Sequence, residues 1–217
     1  TLATFAGFHV TKLNERWIVD HYSDWQKKRS GAKKSVQLES KADAEAFLNG
    51  FFSQFNNQIW PPKYAHGLID KLQIQGNGPI QVWNPGCGTG VETYSLLMAL
   101  KTKYPDRQIK VFANDNDLLS ISNAPNLVLP DPAGYPEWAD FVVKGRNGFG
   151  LKTELKNLIL FEFHDISHMN PFYGLDLIVA RDVLSFLKEA QQVKVMEDFH
   201  DKLKKGGALV LGDHEVA

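Results

Sequence analysis

The stretch WNPGCGTGVETYSL, residues 83–96, decides the fold of this chain. Three glycines, Gly86, Gly88 and Gly90, alternate directly after the apolar run IQVW, and a helix-patterned segment follows from about Val91. A strand, a tight turn and a helix in this order direct free backbone N–H groups towards a bound molecule. The stretch therefore predicts a cofactor loop at the carboxyl end of a strand.

The segments around this loop alternate between strand-like apolar runs and helix-patterned stretches. From residue 80 onward they read IQVWNP, VETYSLLMALKTKY, IKVFAND, LILFEFHD, LDLIVARD, AQQVKVMEDFHDKLKKGG and ALVLGDHE. Such alternation predicts an α/β fold in which helices cover both faces of a parallel sheet.

Two parts of the chain depart from this alternation. Residues 1–75 are polar and helix-like, and NERWIVDHYSDWQKK predicts a buried helical stripe. Residues 130–163 contain VVKGRNGFGLKTEL, whose glycines and short alternating runs predict a hairpin. We therefore divide the chain into a helical subdomain, 1–75, and a main domain, 76–217, with a β-rich insertion at 130–163. The side chains of the predicted stripe are Trp17, Ile18, His21, Tyr22 and Trp25.

Composition narrows the class of protein. The 217 residues are 43% hydrophobic and carry a formal net charge of −1, which fits one globular domain with a small extension and disfavours nucleic acid as a partner. The single cysteine excludes an intramolecular disulfide, and no signal peptide is evident, so we expect a cytoplasmic protein. No apolar run approaches the roughly 18 residues of a membrane span. Because the sequence starts at Thr1, we expect it to be part of a longer multidomain chain.

Charged and metal-ligating residues give weaker signals. KKRSGAKK places five basic residues between Lys27 and Lys34, which is most typical of a solvated surface, although acidic receptor helices, nucleic acid or anionic lipid are alternatives. The histidines and the lone cysteine do not have the spacing of zinc ligands. We predict no metal site.

The kind of cofactor follows from the glycine spacing and the next strand. G-x-G-x-G is shorter than the G-x-G-x-x-G of dinucleotide folds, and Asp115 ends the next strand-like run, where a carboxylate accepts hydrogen bonds from ribose hydroxyls. These features favour S-adenosylmethionine over NAD. A tight turn that binds no ligand remains the alternative.

The stretch VWNPGCGTGVETYSLLM resembles the W-S-A-G-C-S-T-G-E-E-P-Y-S-L-A-M signature of CheR, the chemoreceptor glutamate methyltransferases. VFANDND, VARDVLSFL and LKKGGALVLGDHE are similar to further family motifs, so the likeness covers about residues 40–215. It implies a Rossmann-like S-adenosylmethionine-dependent methyltransferase fold and methyl transfer to glutamates on the cytoplasmic helical bundle of chemoreceptors. Other chemotaxis array proteins would be further partners, and the insertion would be the family's β-subdomain, which docks on receptors in some members.

The resemblance also assigns site residues, and several of them depart from the family pattern. In NGFFS, Ser53 stands where the family has the arginine of T-x-F-F-R, and in RDVLSF, Phe186 stands where it has a tyrosine. A glutamate carboxylate needs no general base, so the family enzyme chiefly has to position it. The resemblance thus implies that no catalytic residue is intact, unless another basic residue such as Arg181 or Lys144 replaces the arginine.

The implied cofactor contacts have changed as well. Besides the glycines, Glu92 and Asp115, they are Asp165 and Ile166 in HDI, where the family has V-N-L, and Asp182, where it has asparagine. The added acids would make the pocket repel an anionic substrate. S-adenosylmethionine is the expected cofactor, if any, because these changes could also abolish its binding.

Three hypotheses follow. The favoured one is a CheR-like domain that is catalytically impaired and acts as an interaction module in chemoreceptor arrays. The second is an active receptor methyltransferase with rearranged site residues. The third is a methyltransferase for a neutral or cationic substrate, for which an acidic pocket would be an advantage.

Overall fold

A computed structural model describes residues 1–216 of the chain. The helices are α1 Leu2–Ala6, α2 Glu15–Gly31, α3 Lys41–Leu48, α4 Pro62–Lys71, α5 Val91–Lys103, α6 Leu118–Asn123, α7 Thr153–Lys156 and α8 Glu189–Lys202. The strands are β1 Ile80–Pro85, β2 Ile109–Asp115, β3 Val142–Gly145, β4 Gly148–Leu151, β5 Ile159–Phe163, β6 Leu175–Ala180 and β7 Leu203–Leu211. None of the helices formed by residues 1–216 has both the length and the apolar composition of a membrane span.

The chain divides into two compact units. The first unit contains Thr1–Gln54, Ala180–Glu197 and the residues from Leu211 onward, and the second contains Phe55–Val179 and Asp198–Val210. This division differs from the boundary predicted at residue 75. Residues 55–75 belong to the second unit, and two later segments belong with the N-terminal helices, because long-range contacts decide the grouping.

The central sheet has the strand order β5-β2-β1-β6-β7. Parallel pairing joins β1 to β2, β2 to β5 and β1 to β6. Every residue of β6 is buried, as expected for a parallel strand with both faces covered. The predicted α/β fold with a parallel sheet is confirmed. The strand order reverses between β1 and β6, which is where ligands bind in open sheets of this kind.

The predicted hairpin is confirmed as a separate two-stranded antiparallel sheet of β3 and β4. Leu129 adds an isolated bridge to Phe149 on the second strand. The strand β5, Ile159–Phe163, lies inside the range 130–163 yet pairs with β2 in the central sheet. The hairpin-bearing piece therefore ends before Ile159.

The core of the second unit surrounds α5, whose residues from Thr93 to Leu100 are all buried. Trp60 and Ile69 are fully buried in the same apolar cluster. The backbone N–H of Trp60 donates to Ser95 Oγ at 3.0 Å. These contacts explain why the segment 55–75 belongs to the second unit.

The core of the first unit is a largely aromatic cluster to which α2 and α3 contribute. Its buried members are Phe8, Trp25, Phe47, Leu48 and Phe51. The predicted stripe on α2 is confirmed for Trp25, while Trp17, Ile18 and His21 are half-buried. Tyr22 is the exception, because 44% of it is exposed.

One of the five basic residues between Lys27 and Lys34 has a structural role. Arg29 forms an ion pair with Asp43 at 2.7 Å and lies over the ring of Trp25. Its charge is thus partly neutralised within the first unit, and the remaining four lysines are exposed.

Candidate functional site

The glycine loop joins β1 to α5, as the sequence predicted. The strand ends at Pro85, and α5 begins at Val91. Gly86, Gly88 and Gly90 have φ values of 68°, 52° and 85°. Residues that carry a side chain rarely adopt this left-handed backbone conformation, so the turn requires glycine.

Three amides of this loop donate to acceptors in the protein. Cys87 N donates to Asn114 O at 3.0 Å, Gly88 N to Asp115 Oδ2 at 2.7 Å and Gly90 N to Cys87 O at 2.9 Å. The expectation that the loop amides are free is therefore wrong for these three. Their bonds stabilise the loop in its turn.

Asp115 is the last residue of β2, as predicted, and its carboxylate holds the glycine loop through a hydrogen bond. Besides the bond from Gly88, its Oδ1 accepts from Asp117 N at 2.8 Å. Because each carboxylate oxygen can accept two hydrogen bonds, Asp115 retains capacity for ribose hydroxyls. A Cβ built on Gly88 would meet no atom within 4 Å, so the loop borders open space there. A nucleoside cofactor fits this combination of acceptor and cradle.

Asn84 is a site residue that the sequence reasoning missed. It is fully buried, and its Nδ2 donates to Glu92 Oε1 at 3.0 Å and to Val179 O at 2.8 Å. Thr93 Oγ1 donates to Asn84 Oδ1 at 2.7 Å. Asn84 thus orients Glu92 in the first turn of α5. The available signal was an amide at the end of an apolar strand, directly before the glycine loop.

Thr93→Val should lower the free energy of unfolding by about 1 kcal/mol, because Asn84 Oδ1 is left without its buried donor. Urea denaturation followed by circular dichroism measures the change. Thr102→Val is the matched control on the same helix, since its hydroxyl bonds only to the Met98 carbonyl one turn back. We expect the control to change stability by less than about 0.5 kcal/mol. Equal losses in both variants would contradict the role of Asn84.

Asp165 and Ile166 follow β5, at the same edge of the sheet as Asp115. His164 N donates to Asp115 O at 2.9 Å, which joins the ends of these strands. The Asp165 carboxylate accepts from Ser167 N and Ser167 Oγ at 2.8 and 2.7 Å. Burial acts to raise the pKa of Asp165, but the Ser167 bonds outweigh it and hold the pKa below its ordinary value. Asp165 is therefore an ionised turn-forming residue, and Ile166 beside it is half-buried.

The surroundings of Cys87 do not favour a reactive thiolate. Burial raises the pKa of its thiol strongly, and the carboxylates of Asp115 and Glu92 raise it further. The thiol stays protonated at neutral pH, and a protonated thiol is a poor nucleophile. Within residues 1–216, no group of three histidine, cysteine, aspartate or glutamate side chains could hold a metal ion.

The remaining predicted site residues lie in the first unit, and two of them bind each other. Ser53 N donates to Asp182 Oδ2 at 2.9 Å, and Ser53 Oγ donates to Asp182 Oδ1 at 2.8 Å. Asp213 N donates to Ser53 Oγ at 2.8 Å. The two departures from the family pattern are therefore coupled in space. Asp182, expected as an added acid in the pocket, instead has both oxygens engaged by Ser53.

Phe186 and the neighbouring Phe52 form a half-exposed aromatic pair in the first unit. Their rings are nearly parallel, with centroids 6.3 Å apart, and 38% of Phe186 is exposed. Arg181, one alternative for the absent arginine, is buried and donates to Gln54 O at 2.6 Å. Lys144, the other alternative, lies exposed on β3 in the second unit.

A second acid that the sequence reasoning did not single out lies beside Asp182. Glu215 is 1% exposed, and its Oε1 accepts from Ser185 N at 2.7 Å. Its Oε2 has no hydrogen-bond partner within residues 1–216. A Cβ on Gly212 would collide with Asp182 Oδ1 and approach Glu215 Oε2, so both oxygens border the same point.

The pKa values of these two carboxyls are raised for related reasons. Burial raises the pKa of Asp182, against the hydrogen bonds from Ser53 and the charge of Arg181, and Asp213 raises it slightly. Burial also raises the pKa of Glu215, against the hydrogen bonds of Ser185, and the charge of Asp182 adds to the increase. A buried oxygen without a partner next to another acid favours the protonated form of Glu215.

The predicted site residues thus form two groups. At the carboxyl ends of β1, β2 and β5, the second unit holds the glycine loop, Glu92, Asp115, Asp165 and Ile166. The first unit holds Ser53, Asp182 and Phe186. Glu215, which was not predicted, lies beside Asp182 in the same unit. The first group can accept a nucleoside, while the second contains no cation at the position of the expected arginine.

Two family models match the chain. A family model described as "CheR methyltransferase, SAM binding domain" matches residues 52–217, and one described as "CheW-CheR linker domain" matches residues 1–47. The chain is 26% identical over 155 residues to the chemotaxis protein methyltransferase of Listeria innocua, covering 68% of this chain and 58% of that protein. For the chemotaxis protein methyltransferase of Borreliella burgdorferi, identity is 26% over 177 residues, covering 76% and 60%.

A third relative is much longer. Identity is 26% over 164 residues to an uncharacterized 104.1 kDa protein of Rhodobacter capsulatus, covering 70% of this chain and 17% of that protein. By contrast, the chain spans about 60% of the length of the chemotaxis methyltransferases that it matches.

Proposed function

Because the chain belongs to the CheR methyltransferase family, we propose that it is a chemotaxis domain that has lost glutamate methyl transfer and acts as an interaction module in chemoreceptor arrays. The proposal places it in the cytoplasm, where the receptor helical bundles lie. It rests on one observation above all, the hydrogen-bonded pair of Ser53 and Asp182.

This pair occupies two positions that methyl transfer would use. The family resemblance assigns the carboxylate-binding arginine to position 53 and a cofactor-contacting amide to position 182. Here the Ser53 hydroxyl donates to Asp182 and accepts from Asp213 N, so it is committed to the fold. A glutamate substrate would meet no cation at position 53 and a carboxylate at position 182. Removing a charged hydrogen-bond partner typically costs a few kcal/mol, which lowers a rate by orders of magnitude.

Phe186 supports the same conclusion. It retains an aromatic ring that packs against Phe8 and Phe52 but has no hydroxyl. The position can therefore support packing and cannot donate a hydrogen bond to a reacting group.

The cofactor edge is better preserved than the transfer positions. When bound, S-adenosylmethionine supplies a methyl group on a sulfonium sulfur. The glycine loop would cradle it, and Asp115 would accept hydrogen bonds from its ribose. Asn84 would hold Glu92 in place at the start of α5. This edge favours a second candidate function, an active glutamate methyltransferase that positions its substrate in another way.

Two findings support an interaction role. Residues 1–47 match a linker domain named for CheW and CheR, which favours a place inside a larger chemosensory chain. The surface of α2 also exposes apolar side chains, since Val19 is 69% exposed and Tyr22 is 44% exposed.

Calorimetric titration and a methyl-transfer assay test the proposal together. S-adenosylmethionine and S-adenosylhomocysteine are titrated into the purified chain, and labelled methyl transfer is then measured on a receptor cytoplasmic fragment. The Listeria innocua methyltransferase with a receptor fragment from the same organism is the positive control. We expect no transfer above background by this chain, whether or not the cofactor binds. Receptor methylation at a rate similar to the control would overturn the proposal and establish the second candidate.

A further inference from the structure

A cavity of about 260 Å³ opens in the second unit, away from the cofactor edge. Its wall includes Gly78, two residues before β1, and Arg107, two residues before β2. It also includes Asp176, at the start of β6. The amino-terminal ends of these parallel strands lie at one edge of the sheet, and the carboxyl ends, which carry the glycine loop, lie at the opposite edge. The cavity is therefore distinct from the predicted cofactor site.

The charge of the cavity wall is positive. Arg107, Lys204 and Lys205 line it together with a single acid, Asp176. Lys204 Nζ lies 3.0 Å from both oxygens of Asp176, and Gln81 N also donates to this carboxylate. Asp176 is thus neutralised by Lys204, which leaves the charges of Arg107 and Lys205 unbalanced within the wall.

The contacts of Arg107 fix its guanidinium and leave some of its N–H donors unused. Its Nε donates to Gly78 O at 2.8 Å, and its guanidinium lies 5.3 Å from the centroid of the Tyr104 ring. Within residues 1–216, no hydrogen bond involves its Nη1. A guanidinium fixed in this way is suited to an anion with several oxygens, because its planar fork donates in parallel.

No hydrogen bond or ion pair in the part of the chain that the structure describes explains why a lysine stands at position 205. Within residues 1–216 Lys205 forms no hydrogen bond and no ion pair, although its neighbour Lys204 forms both. The segment around it, LKKGG at the start of β7, is similar to L-K-P-G-G in the family motif, so this chain has a cation where the family pattern has proline.

The backbone of the wall is exposed at glycines. Gly76 and Gly206 have φ values of 70° and 82°, and Gly207 leaves no room for a side chain, since a Cβ would lie 3.0 Å from Leu175 O. Peptide groups can therefore reach a ligand directly, as in other anion-binding turns.

From this geometry we propose that the cavity binds the diphosphate group of a small phosphorylated ligand. Two unbalanced cations, one of them a fixed guanidinium, and bare peptide groups match the charge and the many acceptor oxygens of a diphosphate. The volume is slightly below that of a typical site for a drug-sized molecule, which fits a compact anion. The shared chemistry can come from free pyrophosphate or from a nucleoside diphosphate.

Titration of the full chain with inorganic pyrophosphate at 150 mM NaCl tests the site, and ADP is a second arm that distinguishes the two sources. We expect saturable binding with one site per chain. Lys205→Gln and Arg107→Gln should each weaken it at least tenfold. Tighter binding of ADP than of pyrophosphate would assign the site to a nucleotide, and the reverse order would assign it to the free anion.

The control variant is Lys41→Gln, whose side chain is 76% exposed on α3 in the first unit. Lys205→Gln is the decisive variant, because the Lys205 side chain forms no hydrogen bond or ion pair within residues 1–216, whereas Arg107 also donates to Gly78 O. Absence of saturable binding would overturn the proposal. Equal weakening by Lys205→Gln and Lys41→Gln would also overturn it, since that result indicates general charge attraction.

Discussion

Gly90→Ala is expected to lower the free energy of unfolding by about 3 kcal/mol, whereas Gly88→Ala, in the same loop, should lower it by only about 1 kcal/mol. Both glycines have positive φ, so both substitutions incur the left-handed backbone penalty. They differ in the space around a new methyl group.

The difference arises from packing behind the loop. A Cβ on Gly90 would lie 3.0 Å from the Phe161 ring and 3.1 Å from Ala124 Cβ, while a Cβ on Gly88 would meet nothing within 4 Å. The Phe161 ring already packs against Tyr94, with centroids 6.0 Å apart, so it must shift against a close neighbour to make room. Overpacking of this kind adds about 1–3 kcal/mol to the backbone term.

Urea denaturation of both variants, followed by circular dichroism, checks this prediction. Titration with S-adenosylhomocysteine adds a second readout, because Gly88 faces the open cradle. We expect Gly88→Ala to remain folded and to impair ligand binding. If both variants lose the same amount of stability, the close packing described around Gly90 is contradicted.

Glu215→Gln is expected to raise the free energy of unfolding by about 2 kcal/mol at pH 8. A buried carboxylate oxygen without a partner is unfavourable once Glu215 ionises. A glutamine keeps the acceptor for Ser185 N, and its amide can donate to the neighbouring Asp182 carboxylate. The substitution therefore removes a buried charge and leaves the shape of the side chain.

The sign of the pH dependence follows from the raised pKa values. Because the folded chain holds protons on Asp182 and Glu215 that the unfolded chain releases, these groups make stability fall as pH rises from their ordinary pKa through the raised values. Glu215→Gln should flatten this fall. Asp213 and Arg181, the other charged groups that act on Asp182, are unchanged in the variant.

The measurement is urea denaturation at a series of pH values from 4.5 to 8. Glu45→Gln is the control, since its side chain is 62% exposed and pairs only with Lys41 at 3.7 Å. We expect the control profile to follow that of the unaltered chain. Parallel profiles for Glu215→Gln and the unaltered chain would contradict the raised pKa of Glu215.

The pairing of Ser53 with Asp182 changes how the two substitutions are understood. Taken separately, they are a lost cation and a gained acid. Together they form a buried hydrogen-bonded pair within the first unit. Ser53→Arg alone would therefore remove the hydroxyl donor to Asp182 Oδ1 and leave the backbone N–H bond to Oδ2.

The sequence by itself determined the parts of this protein that depend on local pattern. Apolar runs of strand length predicted the parallel sheet, and alternating glycines after IQVW predicted the loop between β1 and α5. Short alternation around Gly145 and Gly148 predicted the hairpin. Each strand, helix or turn signal is short, because strand and helix periodicity and left-handed turns are local properties, and the order of these signals along the chain predicted the sheet.

Only the tertiary structure decided which distant residues meet. It joined Ser53 to Asp182 and Glu215 to Ser185, gave the loop amides of Cys87 and Gly88 to acceptors on β2, and assigned residues 55–75 to the core around α5. It also assembled Arg107, Lys204 and Lys205 around one cavity. The physical reason is that these contacts link segments separated by tens to more than a hundred residues. Their partners are chosen by packing of the whole chain, which no local pattern records.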